Sequence, residues 1–124
     1  LFYAPYLLEP KVHDEVVSQV DVLPTIAGLL HQPYTNTTLG RDVLATSAKN
    51  SYAFTIHHDE GRIGIITNSY YFEKNINFND EELYSMDNSS LPFTKTQQDS
   101  IKSKMSEIST GIYETAKWML MNNK

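Results

Sequence analysis

The chain contains no cysteine, only five glycines and five prolines, and a single tryptophan among its 124 residues. Without cysteine it has no disulfide framework, no Cys-based zinc site and no thiol nucleophile. The glycines stand too far apart to form a phosphate-cradling loop. No apolar run approaches the ~20 residues of a membrane-spanning helix, and no basic-then-apolar leader opens the sequence as given. Positive charge is also scarce. Ten Lys and Arg face fifteen Asp and Glu, for a net charge of -5 with no basic block, so nucleic acid is not an expected partner.

What is present suffices for one compact α/β unit. Apolar residues make up 40% of the chain, with eight Tyr and five Phe, which places it outside the disordered class. Residues 1–50 read as a strand, a capped helix and a loop. Leu1 to Ala4 is an apolar run closed by Pro5, as at the end of a buried parallel strand. A short extended stretch is expected at Glu15 to Val20. Asp21 then stands as the N-cap of a helix, with Pro24 tolerated in its first turn and His31-Gln32-Pro33 as its stop.

Residues 51–124 read as an antiparallel meander plus a long amphipathic C-terminal helix. Tyr52 to His57 alternates, Asp59-Glu60-Gly61 turns, and Ile63 to Thr67 forms a second strand. Asn68-Ser69 turns again into Tyr70-Tyr71-Phe72, and Glu82-Leu83-Tyr84 supplies a last short strand. From Thr96 to Asn122 the residues Ile101, Met105, Ile108, Ile112, Ala116 and Met119 recur at helical spacing and form one stripe. Gly111 interrupts that helix at a cost of roughly 1 kcal/mol unless a close contact uses its missing side chain.

Candidate chemistry is sparse. His57-His58-Asp59-Glu60 crowds imidazoles and carboxylates at a strand end, and His57 and His58 are the candidate substrate-binding residues. Adjacent strand residues point to opposite faces, however, so the two do not easily share a metal, and a solvated hairpin turn explains them as well. His13-Asp14-Glu15 has no second cluster at ligand spacing and reads as a polar loop. His31 fits a helix C-terminus, and Asp21 fits a structural cap better than a general base. No catalytic residue and no metal ligand is assigned within the chain.

Three motifs carry a resemblance. Leu1-Phe2-Tyr3-Ala4-Pro5, Ser18-Gln19-Val20-Asp21-Val22-Leu23-Pro24-Thr25-Ile26 and Leu39-Gly40-Arg41-Asp42-Val43-Leu44 resemble, in order and spacing, the C-terminal third of sulfatase-like enzymes of the alkaline phosphatase superfamily. The lipoteichoic-acid synthase and phosphoglycerol transferase branch is the most similar. Glu82-Leu83-Tyr84-Ser85-Met86-Asp87 resembles a sulfatase signature, departing from it at Ser85 and in lacking a proline after Asp87.

The resemblance implies the C-terminal fragment of an alkaline-phosphatase-like α/β fold, with residues 1–50 as the end of its central α/β layer. The parent would be a sulfatase-like phosphoglycerol transferase, or a sulfuric or phosphoric ester hydrolase. Its nucleophile and its divalent metal, Mn, Mg, Ca or Zn, would both be held upstream of Leu1. The chain alone would be inactive, with the upstream catalytic portion as its partner, in an extracytoplasmic, membrane-anchored bacterial protein. The apolar opening without Met fits a piece of a longer polypeptide, and an unpaired Leu1 to Ala4 strand would favour a homodimer. The alternative is a self-standing interaction or glycan-binding module that uses the Tyr-rich strands.

Overall fold

The structure is a computed structural model and describes residues 3, 5–6, 8–45, 51–78, 80–87 and 93–122. Of the expected strand Leu1 to Ala4 only Tyr3 is described, as an exposed residue outside any strand; the rest of it lies outside the described residues.

Alternating sequence becomes a four-stranded antiparallel sheet. Strands β1 (Ala53–His57), β2 (Arg62–Ile66), β3 (Tyr70–Asn75) and β4 (Glu81–Ser85) pair in chain order. The turns are the ones their residues favour. Gly61 takes a left-handed φ of 62° to close the β1–β2 hairpin, and Asn68-Ser69 forms a two-residue turn sealed by the Thr67 N–H donating to Tyr70 O at 2.9 Å. The register lines up Phe54, Ile65, Phe72 and Leu83 across one face.

Helix α2 (Lys95–Asn122) covers that face. Ile65, Phe72 and Met105 form the buried centre, with Phe54, Tyr70, Leu83, Ile101, Ile108 and Ile112 packed around it. Phe72 is fully buried, and Ile63 and Ile65 are 1% exposed. Polar ties flank this apolar seam. The Ser106 hydroxyl donates to Glu81 Oε1 at 2.6 Å and accepts from Lys74 Nζ at 3.0 Å, while Lys102 Nζ donates to Glu81 O at 3.1 Å.

A 28-residue helix is about 42 Å long, whereas strands of five or six residues run about 17–20 Å. The expected apolar stripe therefore docks only as far as Ile112. Beyond it Trp118, Leu120 and Met121 are exposed. Apart from the helix's own backbone, no atom of the described residues lies within 4 Å of where a Gly111 side chain would begin, so no close contact among them offsets its helix cost.

The N-terminal segment is built differently. The expected extended stretch before Asp21 gives way to a 3-10 turn at Gln19–Asp21, which leads into helix α1 (Val22–Leu29). Leu30 and His31 end α1 in a Schellman arrangement, with the Gln32 N–H on Ala27 O and the His31 N–H on Gly28 O. His31 takes the left-handed conformation there, φ 49°, where glycine is usual. The architecture is thus mixed α/β, with an antiparallel sheet and a long C-terminal helix.

Candidate functional site

Two of the three motifs that carry the resemblance meet in one place. Asp21 is 5% exposed, and its carboxylate accepts from the Ser18 N–H at 2.8 Å and from the Arg41 N–H, twenty residues on, at 2.9 Å. It stands at the N-cap position, but its side chain makes no capping bond to α1. Asp21 is thus structural, as expected, but its carboxylate closes the Ser18 to Asp21 turn and ties in Arg41 instead of capping α1.

Thr25, fully buried, donates to Asp21 O at 2.7 Å and accepts from the Val43 N–H at 3.1 Å. Arg41 then reaches Val16 O at 3.1 Å and Tyr52 O at 3.2 Å, with its guanidinium 5.6 Å from the Tyr52 ring centre. A side chain at Gly40 would begin 1.9 Å from Val20 O, and one at Gly28 would begin 1.9 Å from the Asp42 carboxylate. Ser18, Asp21, Thr25, Gly28, Gly40 and Arg41 therefore form a closed polar knot. Its groups are spent on backbone partners, which suits a scaffold rather than a reacting centre.

The second polar site is the sheet face opposite α2. Register puts Tyr71 opposite Tyr84, Glu73 opposite Glu82, and His57 opposite Arg62 on this face. Arg62 donates to Glu73 Oε1 at 3.0 Å and to Asp80 Oδ2 at 2.5 Å, with Glu60 at 3.9 Å. The Tyr71 hydroxyl donates to Glu73 Oε2 at 2.7 Å, and the Tyr84 hydroxyl to Glu82. The two tyrosine rings are 5.9 Å apart and nearly parallel, at 18°. Gly64 lies under this pair, since a side chain there would begin 2.8 Å from the Tyr71 ring.

These contacts shift protonation. Burial and the Glu73 carboxylate raise the Tyr71 phenol above its ordinary range. Desolvation acts to lower Arg62, but Asp80, Glu73 and Glu82 outweigh it and raise the guanidinium, keeping it charged. Perturbed groups of this kind gather at functional sites as well as in structural ion-pair networks.

His57 ends β1, exposed, at the margin of this face, and His58 begins the exposed turn that follows. Neither joins the Arg62 network, whose partners are Glu60, Glu73 and Asp80, and no group of three His, Asp or Glu among the described residues is placed to hold a metal ion. A shallow cleft of about 300 Å³ between β4 and α2 is lined by Glu81, Asp99, Lys102, Ser103 and Ser106. Sequence reading found neither the Arg62 network nor the Tyr71–Tyr84 pair. The signal was there in the mirrored spacing of Tyr71-x-Glu73 and Glu82-x-Tyr84, which an antiparallel register superposes.

Comparisons of the chain with protein-family models, with curated proteins and with solved structures find no match.

Proposed function

We propose that this chain is the C-terminal, non-catalytic part of a metal-dependent sulfatase-like enzyme, a phosphoglycerol transferase or a sulfuric or phosphoric ester hydrolase. The observation that carries the reading is the polar knot. Resemblance rests on Ser18, Asp21, Thr25, Gly40 and Arg41, and these same residues converge through buried hydrogen bonds. Motif residues that answer to one another in space are what a structural joint of such an enzyme would require, and that convergence supports the reading.

In this reading the knot holds α1 in a fixed pose while the chemistry lies upstream. The divalent metal of the parent would, in this reading, be held by the preceding portion, outside the cytoplasm. There it would supply charge stabilisation to an ester-cleaving step. The chain's own contribution is positional. Val22, Leu23, Ile26 and Leu30 leave an apolar face of α1 open, suited to packing against that portion.

The test is the parent reading frame. About 300 residues upstream, a domain-scale distance, it should encode a Thr, Ser or Cys nucleophile, followed by an Asp-His-Gly motif just before Leu1. The purified parent should cleave a phosphodiester or a sulfate ester and lose that activity in EDTA. A reading frame with neither motif, or a metal-independent protein inert on both esters, overturns the proposal.

A further inference from the structure

We infer that the sheet face opposite α2 binds a neutral sugar ring, through the Tyr71–Tyr84 pair and the carboxylates beside it. This inference does not depend on the parent enzyme, since every group it uses lies in β2, β3, β4, the turn before β2 and the loop before β4.

Three properties of the face point to that chemistry. The first is the aromatic pair. Two nearly parallel rings sit on adjacent strands with Tyr84 43% exposed, and the C–H face of a pyranose stacks on an electron-rich ring of this kind. Their hydroxyls are anchored to Glu73 and Glu82, so the rings are held in place before any ligand arrives, which lowers the ordering cost of binding.

The second is the juxtaposition of Glu73 and Glu82. Like charges directly opposite on neighbouring strands are unfavourable, and Arg62 relieves only one of them by a direct bond. Glu73 is filled, with Arg62 on one oxygen and Tyr71 on the other. Glu82 holds the Tyr84 hydroxyl on Oε2, which leaves Oε1 as an acceptor for a ligand hydroxyl. Asp80, whose side chain is 48% exposed, supplies acceptor capacity at the other side of Arg62.

The third is charge. Glu60, Glu73, Asp80 and Glu82 surround one arginine, so phosphate, sulfate and nucleic acid are repelled. An apolar protein surface would have to strip water from these carboxylates without pairing them. A metal ion is disfavoured because the Arg62 guanidinium already stands among Glu60, Glu73 and Asp80, and no three carboxylates or imidazoles among the described residues are placed to hold one. A neutral polyhydroxylated ring satisfies all three constraints: it stacks, it donates, and it brings no charge.

The experiment is an NMR titration of the full 124-residue chain with methyl β-glucoside, methyl β-galactoside and methyl N-acetyl-β-glucosaminide. At least one should give saturable shifts in residues of β2 to β4, with a dissociation constant in the millimolar range, on the order of 1–10 mM. Tyr84→Ala, which removes a half-exposed ring, should weaken binding about tenfold while the far-UV spectrum stays unchanged. Glu82→Gln should weaken it by a smaller factor and leave the tyrosine pair folded. The inference is overturned if none of the three glycosides shifts these residues, if Tyr84→Ala binds as well as the unmodified chain, or if a lysine-rich peptide, and no glycoside, occupies the face.

Discussion

The N-terminal segment and the sheet–helix layer bury opposite kinds of residue. In the layer, Ile63, Ile65, Phe72 and Met105 are inside, Ser109 of α2 is the one polar residue buried with them among the described residues, and most other polar groups sit at the margins. In the segment, Asp21 and Thr25 are inside, while Val22, Leu23, Ile26 and Leu30 are 46%, 54%, 37% and 54% exposed. Apolar burial supplies most of the driving force for folding, whereas a satisfied polar network contributes little net energy and much geometric definition. The layer is thus built to fold, and the segment is built to hold a shape.

Substitutions can break that contrast, beginning with the layer. Phe72→Ala should cost about 3–5 kcal/mol, because it empties the fully buried centre of the apolar seam. Chemical denaturation should show the sheet and α2 failing together. If the loss were under about 1 kcal/mol, the layer would not depend on that seam.

Gly40→Ala tests the segment. The added carbon meets the Val20 carbonyl, a backbone group with no rotamer to yield, at a cost of about 1–3 kcal/mol. The damage should be local: faster hydrogen exchange at the Ser18 and Arg41 amides, with the β2 and β3 amides unchanged. Equal acceleration in both regions would mean that the segment and the layer fold as one cooperative unit.

Gly111→Ala should stabilise the layer by about 1 kcal/mol, since the helix gains propensity and nothing lies near the new methyl group. A thermal melt reads this directly, and a drop in melting temperature would reveal an unseen neighbour at that point of α2.

The smallest effect concerns alkaline pH. Burial raises the phenols of Tyr70 and Tyr71 in the folded chain, and the Glu73 carboxylate adds to the effect at Tyr71. Their neutral forms favour folding, so the contribution is complete below the ordinary tyrosine pKa of about 10 and is lost as pH rises through the higher folded values. Absorbance at the tyrosinate band should show two late-titrating phenols. Tyr71→Phe should remove one of them and flatten the loss of stability above pH ~10.

Legibility in the sequence divides along the same line. The meander could be read in advance because its signals are local: Phe54 and Ile56 alternate, Gly61 and Asn68-Ser69 turn, and Ile101 to Ile112 keep helical spacing. The knot could not, since Asp21 takes its main partner from Arg41, twenty positions away, and a carboxylate ahead of a helix looks the same whether it caps or crosses over. The Arg62 network was hidden for a related reason. Its acceptors come from β3 and from Asp80, and only the register brings them together. His57 and His58, which drew attention as a cluster, end on an exposed strand tip and an exposed turn.

The roof over Gly64 has an evolutionary consequence. Any side chain at position 64 begins 2.7–2.8 Å from Phe72 O, Thr55 Oγ1 and the Tyr71 ring at once. Loss of the ring alone would not free the position, because the Phe72 carbonyl and the Thr55 hydroxyl would still stand in the way. Position 64 should therefore stay glycine among descendants of this chain even where position 71 has changed, and so mark the close approach of the strands rather than the fate of the tyrosine.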